Sequence, residues 1–266
     1  RMSAINIMPN AAQFQASLKQ YVLIYTPDYL PLWLIVAGVL FVGMLLVLAL
    51  HGFLRYRFAT PHGEHHQEEK LYLYSKAVRL WHWSNATLFI LLLLSGGINH
   101  FALLSAHDTA LLVNVHEICG YLLLVCWLSF VLINLVGGNG KFYRIDSKNW
   151  LQRVLMQTRF YLYGIIKGED HPFPATPKVK FNPLQQMAYL GVMYALVPLL
   201  LITGILLQNP MFIPADAVLF KAWLLIIHQI LAVCSVFFIF GHLYLCTTGR
   251  TPFQTFRSMV DGYHRH

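Results

Sequence analysis

His228 and His242 stand fourteen residues apart in the apolar run Leu219–Cys246. Fourteen residues is close to four helical turns, so both imidazoles leave one face of a helix, about 21 Å apart along its axis at about 1.5 Å per residue. An ionisable side chain at membrane depth is costly and marks a functional site whose partner has to be found. An imidazole there can ligate a haem iron, serve a transport path, or be a structural residue bonded to a neighbouring backbone.

The elements that must supply the partners follow from composition. The 266 residues are 57% hydrophobic and 11% charged, against roughly 25% charged in soluble domains. Five segments reach the ~20 apolar residues needed to cross a bilayer: about 31–54, 77–98, 111–136, 184–207 and 219–246. The expected fold is all-α, a membrane helical bundle of five transmembrane helices: a four-helix core within residues 70–250 and an additional N-terminal span. The run at 31–54 is too long for a signal-peptide core and lacks a small-residue cleavage site after it, so it is expected to stay as an anchor.

Charge sets the expected orientation. Of the 19 lysines and arginines, 16 fall between the first and second spans, between the third and fourth, or after the fifth; the other side holds Arg1, Lys19 and Lys221. By the positive-inside rule the N-terminus is expected outside and the C-terminus inside, in a bacterial inner membrane. The net charge of +8 therefore belongs to a membrane face and not to a nucleic-acid surface. Cys119, Cys126, Cys234 and Cys246 all lie in predicted spans, and without a C-x-x-C-H run any haem must be held non-covalently.

Threading the spans shows which histidines share a depth. His82, in R-L-W-H-W at the start of the second span, is at the cytoplasmic level; His116, early in the third, is at the external level. The fifth span runs inward, which puts His228 with His116 and His242 with His82. Two neutral imidazoles facing each other between helices are a standard means of holding a low-spin b-type haem, so two non-covalent bis-histidine haems are expected, with these four residues as the iron ligands. The residue one turn after each histidine is small: Ala86, Gly120, Ala232 and Cys246. His100 and His107, read as loop residues, are rivals for the external level. His51 reads as interfacial, His171, His264 and His266 as solvent-facing, and His62, His65 and His66 as a solvated loop. Glu117 reads as a hydrated carboxylate near the external face.

Residues 1–30 are expected to be external, with AAQFQASLKQYVLIY as an amphipathic helix. The cytoplasmic loop 138–183 contains SKNWLQRVLMQTRFYLYGIIKG, which should lie along the interface. Pro198 should kink the fourth span, Gly204 should allow close packing there, and 251–266 reads as a cytoplasmic tail. Asn182 and Gln185 are polar groups at the membrane entrance, near the level of His82 and His242. Asn182 has two readings, a contact for a quinone carbonyl or an N-cap for the fourth span with Pro183 at its first position.

The R-L-W-H-W pattern, a histidine early in the third span and H-x13-H in the last resemble the di-haem cytochrome b subunits of formate dehydrogenases. YTPDYLPLWLI, YLYSKAVRLWHW, QTRFYLYGIIKGEDHPF, KFNPLQQMAYL and FRSMVDGYHRH are more similar still to the cytochrome b subunit of bacterial thiosulfate reductase, over residues from about 25 to the end. That resemblance implies His82, His116, His228 and His242 as ligands of two b haems, and a menaquinone site beside the cytoplasmic-side haem at Asn182, with Gln185 close by. It implies an iron-sulfur subunit and a molybdopterin or tungstopterin catalytic subunit as partners. The expected function is to oxidise menaquinol and feed a periplasmic thiosulfate-reductase-type enzyme. The same wiring run inward, as a quinone reductase for a formate or aldehyde oxidising partner, is the alternative. A haem-free membrane sensor or transporter is a further one.

Overall fold

The computed structural model describes residues 30–59, 70–137, 139–143, 148–176, 179–214, 217–249 and 251–265. The expected amphipathic helix before residue 30, the His62/His65/His66 loop and His266 lie outside these residues. Among the described residues, five helices are long and apolar enough to cross a membrane. They are α1 (Leu32–Phe58), α2 (Lys76–His100), α3 (Ala106–Val136), a fourth span Pro183–Gln208 and α8 (Val218–Cys246). The fourth is α6 (Pro183–Gly191) and α7 (Val197–Gln208), joined by a wide π-helical turn at Val192–Leu196.

The helix starts are written in their caps. Ser75 accepts the Val78 amide at 3.3 Å, and Ser105 accepts the Asp108 amide at 3.3 Å. The Ser105 cap begins α3 about five residues ahead of the sequence-based boundary, so His107 lies in a helical turn and not in a loop. Pro198 explains the wide turn. It has no N–H and crowds the carbonyl one turn earlier, so the helix opens just ahead of it. The indole N–H of Trp127 donates to the Met193 carbonyl in that turn at 2.6 Å.

Phe89, Leu123, Phe130, Met193, Val197 and Leu201 form the buried core between α2, α3 and the fourth span. Trp81 stacks on Phe130 with ring centres 5.0 Å apart and donates to the Cys126 carbonyl at 3.0 Å. In lipid such packing gains shape complementarity and not relief from water, which is why aromatic and hydrogen-bonded contacts carry it. No residue of α1 is buried. It lies along α8 through Phe41 against Phe237 and Phe240, and through His51, which bonds the Tyr244 hydroxyl and the Leu162 carbonyl. Its remaining apolar side chains, among them Val39, Leu46 and Leu50, face outward as a lipid-facing surface does.

One end of the bundle carries Arg55, Arg57, Lys76 and Arg79; it is called the basic end below, and the opposite end the far end. Within 138–183, the stretch expected to lie along the interface is helical: α4 (Trp150–Arg159), a second π-helical turn Phe160–Gly164 and α5 (Ile165–Lys167). The expected tail is ordered: α9 (Gln254–Asp261) leads to β2 (Tyr263–Arg265), which pairs antiparallel with β1 (Lys70–Tyr72), Leu71 opposite His264. The helical bundle thus carries a two-stranded ribbon at its basic end. Gly262 turns the chain into it with φ at +89°, and an added Cβ there would come within 2.6 Å of the Tyr74 carbonyl oxygen. Trp83 donates to the Met259 carbonyl at 2.8 Å, and Arg79 to that of Val260, so α2 holds the ribbon helix. His264, expected to face solvent, is half-buried in β2.

Candidate functional site

The fold brings the four intramembrane histidines together in two pairs. At the far end the ring centres of His116 and His228 are 6.4 Å apart; at the basic end those of His82 and His242 are 6.3 Å apart. Two imidazoles sharing one metal ion stand about 6 Å apart between ring centres, from two metal–nitrogen bonds of about 2 Å and the half-width of each ring. Both pairs fit an ion held by two axial nitrogens. Among the described residues no group of three or more His, Cys, Asp or Glu side chains is placed to hold a metal ion. Each pair by itself therefore offers two nitrogen ligands and no side-chain equatorial ones among the described residues.

The far-end pair is strutted. Ser95 and His116 Nδ1 are 2.8 Å apart, and the Ser95 hydroxyl donates back to the Leu91 carbonyl at 2.7 Å. With its single proton on that carbonyl, Ser95 accepts from Nδ1–H, which leaves Nε2 as the lone-pair nitrogen. Thr203 repeats the device: its hydroxyl is 2.7 Å from His228 Nδ1 and donates to the Leu199 carbonyl at 2.7 Å. Such a bond on the other ring nitrogen fixes the tautomer and orientation of a metal-binding histidine.

Each hydroxyl is followed by a glycine against which the ring sits. An added Cβ at Gly96 would be 3.2 Å from His116 Cε1, and one at Gly204 would be 3.4 Å from His228 Cε1. A cleft of about 110 Å³ opens between the two rings, lined by Phe89, Gly120, Leu201, Gly204 and Ala232 among others. Two of the small residues expected to make room, Gly120 and Ala232, line it; Glu117 is on its wall, half-buried, where the sequence suggested a hydrated carboxylate.

The basic-end pair is held differently. His82 Nδ1 is buried with no hydrogen-bond partner among the described residues. His242 lies nearly parallel to Phe238, ring centres 5.6 Å apart, and its Nε2 is 3.8 Å from the Cys246 thiol. Of the rival histidines, His107 is exposed and His100 meets the Gln229 amide at 3.0 Å; His51 is bonded as described. His171 is exposed yet held, its Nδ1 accepting the Phe173 amide at 3.2 Å and its ring 4.8 Å from Phe160.

Asn182 and Gln185 form a reciprocal capping box. Asn182 Oδ1 accepts the Gln185 amide at 2.9 Å, and Gln185 Oε1 accepts the Asn182 amide at 3.0 Å. The cap reading thus describes the geometry. Asn182 also reaches beyond its helix, donating from Nδ2 to the Tyr161 hydroxyl at 3.0 Å. Burial raises the Tyr161 phenol above the ordinary tyrosine range, partly offset by the Asn182 bond. Burial does the same to Tyr74, and Cys246 adds to it at both tyrosines. Both hydroxyls stay protonated at neutral pH.

Ser95, Gly96 and Thr203 were not singled out in the sequence. The signal was there: Ser95–Gly96 and Thr203–Gly204 are hydroxyl–glycine doublets in different spans.

Residues 73–262 match the family described as prokaryotic cytochrome b561. The chain belongs to that family. The match takes in α2 through α9 and leaves α1 outside it. The chain is also 61% identical over 266 residues to a protein of Escherichia coli (strain K12) whose name reads "Putative cytochrome YdhU", covering 98% of this chain and all of that one. No solved structure matches it. As a prokaryotic b561-family cytochrome with five apolar spans, it is a multi-pass bacterial inner-membrane protein that carries electrons, and haem b is the group the family implies.

Proposed function

We propose that this b561-family chain is the quinone-reactive, two-haem membrane subunit of an oxidoreductase complex, with His116/His228 and His82/His242 as the two pairs of axial ligands. The observation that carries this reading is the occurrence of two imidazole pairs at two depths, 6.4 and 6.3 Å between ring centres. Haem b, when bound, supplies reversible one-electron chemistry. The chain's own residues do the rest. Ser95 and Thr203 hold the far-end imidazoles with Nε2 unprotonated. Phe89, Leu201 and their neighbours keep water from the far-end pair, and Phe238 keeps the His242 ring in place.

The basic end is read as cytoplasmic from the distribution of Lys and Arg. Menaquinol would be oxidised beside Asn182 and Gln185, releasing two protons to the cytoplasm, with its electrons passing one at a time to a haem held by His82 and His242. The electrons leave at the far end to an iron-sulfur subunit and a molybdopterin or tungstopterin enzyme of the thiosulfate-reductase type. The resemblance of the sequence to such cytochromes supports that partner.

A reduced-minus-oxidised spectrum with a pyridine haemochrome count tests the wiring. Two b haems per chain in the wild type and one in His242→Ala are expected. A folded chain with no Soret band would sink the proposal. Direction is tested in proteoliposomes: a potential negative on the basic side should speed outward electron flow, since each charge gains about 2.3 kcal/mol per 100 mV for a full crossing.

A further inference from the structure

Tyr161 lies in the π-helical turn Phe160–Gly164, and such turns in helices recur at functional sites. Its hydroxyl oxygen accepts the Asn182 Nδ2 donor at 3.0 Å. The Gln157 carboxamide, one turn earlier in α4, interacts with the same hydroxyl. Gln157 is fully buried, an unusual place for a glutamine so close to the basic end, and its orientation decides what Tyr161 can do.

His171 fixes that orientation. Its Nδ1 accepts the Phe173 backbone N–H, so the proton of the neutral ring is on Nε2. The atom that Nε2–H meets, at 3.3 Å, belongs to the Gln157 amide, and an N–H requires the carbonyl end there. The two ends of a carboxamide are interchangeable in shape. With the oxygen turned to His171, the buried Oε1 gains the partner it otherwise lacks and the NH2 turns to Tyr161. Tyr161 then accepts from both Asn182 and Gln157. Its own proton is left with no acceptor among the described residues. The carbonyl of the next residue, Leu162, bonds His51, whose other ring nitrogen meets the hydroxyl of Tyr244, two residues beyond His242. The spare donor therefore lies at the basic end.

We propose that the Tyr161 hydroxyl is the hydrogen-bond donor to a carbonyl oxygen of the quinone at the basic end, with Asn182, Gln157 and His171 as the positioning residues that aim it. This rests on the quinone reading above and names the group that recognises the substrate. It also gives Asn182 a task beyond its cap.

The test uses the full haem-loaded chain in detergent and a short-tailed naphthoquinone, with binding read from quenching of tryptophan fluorescence. Tyr161→Phe should bind about tenfold more weakly, the worth of one hydrogen bond. Gln157→Glu should do so too without touching the quinone, because its second oxygen takes the Tyr161 proton. The exposed neighbour Tyr163→Phe should bind as wild type. The haem spectrum should be unchanged throughout. Wild-type affinity in both Tyr161→Phe and Gln157→Glu overturns this inference and leaves the quinone site standing. A wild type that binds no naphthoquinone overturns the site itself. If Tyr161→Phe does not fold, Gln157→Glu decides alone.

Discussion

The two histidine pairs have nearly the same ring separation and quite different support. At the far end each imidazole is tied by its Nδ1 to a hydroxyl and lies against a glycine of a neighbouring span. At the basic end one ring has a bare Nδ1, and the other has a thiol and a phenyl ring beside it. The far end is preorganised by the helices themselves. The basic end leaves its rings less constrained, held by ring packing and one thiol in place of hydroxyl struts.

The largest expected effect breaks one pair at a time. His228→Ala and His242→Ala should each lower the haemochrome count from two to one; loss of both haems from either variant would mean that the pairs are not independent. Removal of the far-end struts comes next. Ser95→Ala combined with Thr203→Val should weaken haem retention at that end by roughly 10–100-fold, seen as faster haem transfer to an apo-acceptor protein, whereas Cys246→Ala should alter basic-end retention by less than about tenfold. Equal effects at the two ends would erase the distinction drawn here. A smaller change is expected for Gly96→Ala, whose methyl group meets His116 Cε1 at 3.2 Å. It should cost about 1 kcal/mol at the far end, visible as a shift of one of two low-spin electron-paramagnetic signals.

The smallest effect concerns the β1–β2 ribbon at the basic end. Arg265 bonds Asp261 and holds its carboxyl down to about 2, below its ordinary 3.8. A depressed folded-state value means that the contribution is in place above the ordinary value and lost as pH falls through about 2. Amide exchange of Lys70–Tyr72 should therefore be indifferent to this group from pH 5 to 8, and Asp261→Asn should loosen the ribbon over that range. A ribbon that opens between pH 5 and 8 in the wild type would rule out this ion pair as its fastener.

How much was legible in the sequence follows from the type of signal. Spans declare themselves by length, and pairing by depth needs only direction of travel, so the five helices and the two imidazole pairs were readable. The starts of α3 and the ribbon were not: the first depends on a single cap at Ser105, the second on two three-residue strands far apart in the chain. Ser95 and Thr203 were missed because a hydroxyl in an apolar span ordinarily bonds its own helix, as both also do. What separates them from other such residues is the imidazole across the interface. Tyr161 was hidden in the same way, since the wide turn that carries it leaves no mark in hydrophobic periodicity.

The ribbon has a consequence for the order of assembly. Its two strands are separated by nearly the whole described bundle, with Lys70 opposite Arg265. During synthesis β1 is made before the second span, yet it has no partner until α8 has been inserted and α9 has left the ribosome. Pairing across so long a loop closes late. The basic end is therefore latched only when all the helices are in place.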